Sequence, residues 1–178
     1  MGQAVQGPRH RVQSVAVLTG AGVSAESGVP TFRGEGGLWR EYRAEDLATP
    51  RAFRRDPGLV WEWYDWRRSL IGACRPNAAH RVLVEMAALF DDFTLITQNV
   101  DGLHRLAGSK KLVELHGNIW GLRCTAGCRL PWEDRTVPLP ELPPRCPSCG
   151  ALARPDVVWF GESLPGDALD AAFAAVRR

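Results

Sequence analysis

The chain has 178 residues, 45% hydrophobic and 24% charged, with a formal net charge of +2 when histidine is neutral. That is material for one ordinary core plus a small appendage, not for two full domains. The near-balanced charge argues against a polyanion-binding surface, so no nucleic-acid partner is expected. No stretch approaches the roughly 20 apolar residues that span a bilayer, and the opening MGQAVQGPRHRVQ lacks the apolar centre of a secretory signal, so no membrane partner and a cytoplasmic location are expected.

Residues 1–13 read as a polar N-terminal arm. Ser14–Gly20 is a short apolar run ending in glycine, the pattern of a buried parallel strand. Ala21–Gly28 suits a tight turn into a short helix, and Pro30–Trp39 is a glycine-rich loop. Residues 40–73 hold helical pieces broken at Pro50 and Pro57, with Trp61, Trp63 and Trp66 crowded onto one of them, Gly58–Ala73. Pro76-Asn77 opens a helix running to about Phe90, with Val82, Leu83, Met86, Leu89 and Phe90 at helical spacing on an apolar face. Phe93–Thr97 is a strand leading into Gln98–His104, and Leu112–Leu115 a strand leading into His116. Asp156–Phe160 reads as a further strand and Asp167–Arg178 as a helix. Strands alternating with helices, and polar residues massed just past strand ends, predict an open parallel α/β sheet with its ligand beyond the carboxyl edge. Three polar clusters fall there, at 20–33, 98–101 and 116–118.

Between these elements lie four cysteines in two pairs, Cys124-x3-Cys128 and, after seventeen residues, Cys146-x2-Cys149. Two short loops of this kind converge on one tetrahedral ion, and four thiolates favour zinc while leaving no coordination position for substrate. One structural Zn2+ is expected, with the chemistry elsewhere; thiolate ligation also suits a reducing compartment. Cys74 has no partner in the pattern and reads as a small buried hydrophobe.

The turn Gly20-x-Gly22-x-x-Ala25 follows a strand and opens a helix, so backbone N–H groups can approach a pyrophosphate. By itself this is also the pattern of a turn shaped by packing alone. Downstream, Arg33 is suited to pair with phosphate and Phe32 to shield a reactive sugar carbon. A histidine after a strand, as at His116, is on residue type alone equally a structural or a catalytic group. His104 reads as packing its own loop, His80 as structural, and His10 as solvated.

Taken in order, Gly20–Gly34 (GAGVSAESGVPTFRG), Thr97–His104 (TQNVDGLH), Leu115–Asn118 (LHGN), the four cysteines and Val157–Glu162 (VVWFGE) resemble the sirtuins over nearly the whole chain after residue 14. The resemblance implies an NAD-dependent protein-lysine deacylase: a Rossmann-like domain, a smaller zinc-and-helix domain, and an active site in the cleft between them. On that template 14–39, 74–118 and 153–178 belong to the Rossmann-like part, 40–73 to the helical part of the small domain, and 119–152 to the zinc module. The acyl oxygen attacks C1′ of the nicotinamide ribose and nicotinamide leaves. His116 then acts as general base on a ribose hydroxyl, and O-acyl-ADP-ribose is released. An imidazole's ordinary pKa of about 6.5 suits that role. The same template assigns Gly20, Ala21, Gly22, Ser24, Ala25, Glu26, Thr31, Phe32, Arg33, Trp39, Gln98, Asn99, Val100, Asp101 and His116 to NAD. Asn99 also assists catalysis, and Asp101 positions the nicotinamide amide.

Tyr64-x-x-Arg67 places a phenol beside a guanidinium on one helix face, a fork for a carboxylate. It resembles the pair of class III sirtuins, which prefer succinyl- and malonyl-lysine and often accept acetyl-lysine; the flanking Trp61-Glu62-Trp63 and Arg68 resemble that class too. On spacing alone the pair reads as a core tyrosine and a solvated arginine. The acylated peptide is expected to lie extended along Val158, Trp159, Phe160 and Gly161. Sirtuins normally continue past the position of Arg178 with further Rossmann strands that hold the adenosine half of NAD, so the chain reads as C-terminally incomplete, with weak NAD binding expected. Two other functions stay open: mono-ADP-ribosyl transfer, and a non-catalytic module that binds acyl-lysine proteins. Oligomeric state is not legible.

Overall fold

A computed structural model describes residues 14–30, 38–39 and 42–178. Strand β1 (Ser14–Thr19) leads through a tight turn into the four-residue helix α1 (Gly22–Ala25). The short β2 (Leu38–Trp39) and β3 (Tyr42–Arg43) pair antiparallel. Then come α2 (Ala44–Leu47), α3 (Pro50–Arg55) and α4 (Pro57–Ala73). The two prolines that break the helical pattern open the next helices. Thr49 caps α3 by accepting from the Ala52 N–H, Asp56 caps α4 by accepting from the Leu59 N–H, and each proline takes a first-turn position where its missing N–H costs nothing.

Helix α5 (Ala78–Ala87) is capped by Asn77 and stops three residues before the predicted Phe90. Its predicted apolar face is only partly used: Val82 and Leu89 are exposed, and the one fully buried side chain is His80. Strand β4 (Asp92–Thr97), helix α6 (Leu103–Ala107) and strand β5 (Leu112–Glu114) follow. Strands β1, β4 and β5 form the expected parallel sheet, with β4 central and Thr19 in register with Thr97. Their carboxyl ends therefore deliver the 20–24 turn, the 98–101 loop and His116 to one edge.

From Gly117 the chain enters β6 (Gly117–Cys124), which pairs antiparallel with β7 (Trp132–Glu133) and β8 (Ala153–Val157) in a separate sheet. The strand predicted at Asp156–Phe160 is thus displaced to Ala153–Val157 and joins the cysteine arm's sheet, not the parallel one. Arg154, Pro155 and Asp156 break the apolar run that the prediction placed further on, and the pairing with β6 needs a close approach at Gly117. Its φ is +75°, and a Cβ there would sit 2.2 Å from the backbone oxygen of Asp156. Only glycine allows that approach. Helix α7 (Gly166–Val176) closes the described chain.

The main core lies under α4, where Val60, Trp61, Trp63, Tyr64 and Ile71 pack with Phe53, Ile119, Trp120, Leu122, Val157 and Trp159. Trp61 Nε1 donates to the Ala153 carbonyl at 2.8 Å, so α4 is tied directly to β8. No helix among the described residues is long and apolar enough to cross a membrane.

Candidate active site and metal centre

A cleft of about 610 Å³ opens at the carboxyl edge of the parallel sheet, bounded on the far side by α4 and the 157–164 segment. Thirteen of the predicted site residues line it: Ala21, Ser24, Tyr64, Arg67, Gln98, Asn99, Val100, Asp101, His116, Val158, Trp159, Phe160 and Gly161. Gly20, Gly22, Ala25 and Glu26 do not line it; they form the turn and short helix that carry Ala21 and Ser24 there. A Cβ at Gly20 or Gly22 would meet nothing within 4 Å, so these glycines face open space and not packed structure. Thr31, Phe32 and Arg33 lie outside the described residues, and Trp39 is described only as backbone in β2.

His116 stands half-buried at the mouth of β6. Its Nδ1 lies 2.8 Å from the Gln98 carbonyl, which can only accept, so Nδ1 carries the proton and Nε2 is left with a lone pair. The His116 carbonyl accepts from the Val158 N–H at 2.9 Å, joining the 98–101 loop, the histidine and the 158–161 segment into one frame.

Asn99 is held at both ends. Its backbone N–H donates to Thr97 Oγ1 at 3.1 Å, and its amide nitrogen donates to the Gly20 carbonyl (3.0 Å) and to Ser24 Oγ (3.2 Å). Both amide protons are then used, and the amide oxygen is the group left for a ligand. Asp101 is buried; Oδ2 accepts from Ser24 Oγ at 2.7 Å and Oδ1 from the N–H of Leu103, the first residue of α6, at 2.8 Å. Each carboxylate oxygen keeps a further lone pair. Trp120 Nε1 donates to the Asp101 carbonyl at 3.0 Å, pinning the loop to β6.

On the opposite wall Tyr64 and Arg67 are both buried on α4. Burial pushes the Tyr64 phenol well above its ordinary range, against the opposing pull of Trp159 and Arg67, so it stays a neutral O–H. Its oxygen accepts from Trp159 Nε1 at 2.9 Å, and its proton remains to donate. Burial also lowers the Arg67 pKa, with Tyr64 and Asp101 opposing; a guanidinium stays charged regardless. Arg68, one position on, turns away from the cleft and binds the Asp134 and Thr136 carbonyls of the cysteine arm, so its place is structural.

The 158–161 wall is not a strand: Phe160 and Gly161 form a turn, with Gly161 at φ +86° and the Glu162 N–H donating to the Trp159 carbonyl at 2.9 Å. Three of its four N–H groups are already spent: Val158 to the His116 carbonyl, Trp159 to Glu162 Oε2, and Phe160 to the Ala48 carbonyl. The Trp159 ring packs inward against Phe53, with centroids 5.2 Å apart, whereas Phe160 is 51% exposed. Glu162, which pairs with Arg154 through both oxygens at 2.7 and 2.9 Å, fixes this bend; sequence reading passed it over because its partners are brought together only by the turn.

Beneath the cleft His80 and His104 are buried with ring centroids 4.7 Å apart. Burial lowers the pKa of both. That of His104, with the His80 ring adding to burial and Asp101 opposing, falls to about 4. A histidine whose folded pKa lies below its unfolded value of about 6.5 contributes stability that is full above that pH and lost as pH falls toward the folded value. The urea midpoint is therefore expected to drop between pH 7.5 and pH 5, and to drop less in His104→Gln; identical pH profiles for the two proteins would contradict this.

The four arm cysteines converge as predicted, all Sγ atoms lying within 4.8 Å of one another. Individual separations are 3.5 Å for Cys124–Cys149, 3.6 Å for Cys124–Cys128 and 3.4 Å for Cys128–Cys146. A tetrahedron with Zn–S bonds of about 2.3 Å has edges of about 3.8 Å. The donor set and spacing fit zinc. Burial raises the Cys146 thiol, but the Ser148 and Cys149 backbone N–H groups and the Cys128 and Cys124 side chains outweigh it and bring the pKa down to about 6, whereas hydrogen bonds with Cys149 and Cys146 push the Cys128 thiol up. Cys74 lies apart, half-buried beside Gly28, where burial pushes its thiol up.

The model of the Sir2 family matches residues 20–178. The chain belongs to the Sir2 family. It is 59% identical over 164 residues to an NAD-dependent protein deacylase of Aquifex aeolicus, covering 92% of this chain and 68% of that protein. It is 56% identical over 162 residues to NAD-dependent protein deacylase 1 of Caldanaerobacter subterraneus, covering 91% and 66%. A crystal structure of a Sir2 homologue in complex with NAD superposes with a TM-score of 0.84 at 52% identity, covering 92% of this chain and 63% of that one. A mutant Sir2 homologue bound to 2′-O-acetyl ADP ribose matches equally well, with a TM-score of 0.84. The fold is the Sir2 fold with its Rossmann-like parallel sheet, and the chain spans about two thirds of the length of the relatives it matches.

Proposed function

We propose that this Sir2 protein takes part in NAD-dependent removal of acyl groups from protein lysines, with succinyl- and malonyl-lysine preferred and acetyl-lysine accepted. NAD, when bound, supplies the sugar carbon that takes up the acyl group and the nicotinamide that leaves; O-acyl-ADP-ribose is the expected product. One observation carries the reading. His116, with Nδ1 committed to Gln98, offers a basic Nε2 to the same cleft into which Tyr64 and Arg67 face from the other side. The rest follows from positions already described. Ala21, Ser24, Asn99 and Asp101 would hold the nicotinamide-ribose end. His116 would take a ribose hydroxyl proton. Carbonyls of the 158–161 wall other than that of Trp159, which already accepts from the Glu162 N–H, would accept from an extended peptide, and main-chain contacts of that kind tolerate many target sequences.

The acyl preference rests on the fork. A neutral phenol O–H and a buried guanidinium can both donate to a terminal carboxylate, and burial in low dielectric strengthens each bond. An acetyl group has no carboxylate to offer the pair. Arg67→Met keeps the length and apolar packing of the stem and removes the charge. Losing a charged hydrogen bond of about 1.5–3 kcal/mol should lower kcat/KM for a succinyl peptide by about 10–150-fold, with the acetyl peptide changed by less than about threefold. Equal loss on both peptides would refute the carboxylate pocket.

A further inference from the structure

We infer that His104 is a positioning residue for Asn99: its buried imidazole anchors a hydrogen-bonded chain through Thr19 and Thr97 that fixes the Asn99 backbone N–H at the cleft. The inference rests on the reading of Asn99 as a residue of the deacylase site and names what sets its place. His104 lies on α6, is 2% exposed and does not line the cleft. Its Nε2 is 2.9 Å from Thr19 Oγ1, Thr19 Oγ1 is 2.9 Å from Thr97 Oγ1, and the Asn99 N–H donates to Thr97 Oγ1 at 3.1 Å.

The polarity of the chain is fixed by counting protons. Thr19 spends its one hydroxyl proton on Thr97, so Thr19 Oγ1 must accept from the imidazole. Nε2 therefore carries the proton and Nδ1 is bare. Nδ1 is indeed buried with no partner. A buried nitrogen without a partner is a standing cost. Leucine would fill similar space without it, so what the ring contributes is the donor at Nε2.

The location explains what the donor does. Thr19 and Thr97 are register partners on β1 and β4, each the last residue of its strand. The turn that carries Ser24 departs from one and the loop that carries Asn99 from the other. One chain thus locks both strand ends at the point where the cleft begins. It acts on the backbone of Asn99, whereas Gly20 and Ser24 hold the side chain. The groups facing His104 are His80 and Asp101, and neither takes part in the chain.

The test is amide hydrogen exchange at Asn99, read by NMR on the whole chain without NAD, in wild type, His104→Leu, His104→Gln and Thr19→Val. Leu and Val should speed Asn99 exchange by about tenfold or more, with α4 and β6 amides within about twofold of wild type. Gln, whose side-chain amide places a donor near the position of Nε2, should stay within about threefold at Asn99. Thr19→Val breaks the chain one link on with the imidazole in place, so the result does not depend on the fold surviving His104→Leu. Unchanged Asn99 exchange in Thr19→Val overturns the inference, as does Gln behaving like Leu, or a rise spread across all elements. Turnover gives a second reading: kcat should fall about tenfold in Thr19→Val with the acyl-peptide KM unchanged. A wild type with this exchange pattern and no NAD-dependent turnover would refute the deacylase reading while supporting the tether.

Discussion

Replacing His116 with tyrosine is expected to lower NAD-dependent deacylation by about 10²–10⁴-fold, the range a positioned general base contributes, with zinc content and thermal midpoint close to wild type. The effect should be large because no other imidazole among the described residues lines the cleft. Nδ1 is committed to the Gln98 carbonyl at 2.8 Å, so the base is Nε2 alone. Among the other titratable groups, Asp101 lines the cleft, but its two oxygens already accept from Ser24 and Leu103. Glu162 is occupied with Arg154 and the Trp159 N–H, and that pairing holds its carboxyl below the ordinary range. A phenol at 116 is a far weaker base near neutral pH. Stability should be spared because the His116 side chain is half-buried and its main structural bond, from Val158 to the His116 carbonyl, is made by the backbone. Mass spectrometry of a succinyl peptide incubated with NAD and each protein gives the answer: a variant within about threefold of wild type would remove His116 from the chemistry.

Much of this arrangement was legible before any coordinates, and the reasons differ by element. The parallel strands are legible as short apolar runs ending in polar clusters, although only the central β4 is buried on both faces; β1, expected buried, is half-buried with Leu18 exposed, and β5 is half-buried. The four cysteines were legible because metal geometry dictates spacing. Residues 153–157 were not. Arg154, Pro155 and Asp156 interrupt any apolar run there, and the pairing with β6 includes the close approach at Gly117, a contact between residues distant in sequence. The α5 face reads as apolar and His80 as structural; the structure makes His80 that helix's most buried side chain, held by Asn77 and facing Ser24. Periodicity finds which side of a helix is apolar; it cannot find a buried polar group whose partners come from other elements. The same blindness covered Arg68, Glu162, Thr19 and Thr97. The 158–161 wall lines the cleft but is not a strand, and three of its four N–H donors are used by partners that sequence spacing does not reveal.

Cys146→Ser, or exhaustive chelation, should cost more than the metal. A structural zinc contributes on the order of 10–16 kcal/mol in isolated finger peptides, comparable to the whole stability of an ordinary domain of about 5–15 kcal/mol. Here the arm is not isolated. Strands β6 and β8 run from the cysteine cluster straight to the cleft, with Cys124 at one end of β6 and Gly117 at the other. Arg68 grips the Asp134 and Thr136 carbonyls, Asp65 accepts from the Leu139 N–H, and Trp61 binds the Ala153 carbonyl. Loosening the arm therefore frees three partners of α4, the helix that carries Tyr64 and Arg67, and unseats Trp159, whose ring N–H holds the Tyr64 oxygen. Zinc should bind at about one ion per chain. Its removal should shift the emission of the buried tryptophans 61, 63, 120 and 159 together and lower the thermal midpoint, and restoring zinc to chelated wild type should reverse both. A Cys146→Ser protein that has lost its metal yet keeps wild-type fluorescence and midpoint would mean that the arm stands on its own hydrophobic packing, through Ile119, Leu122, Leu139 and Ala153, and that the metal only ornaments it.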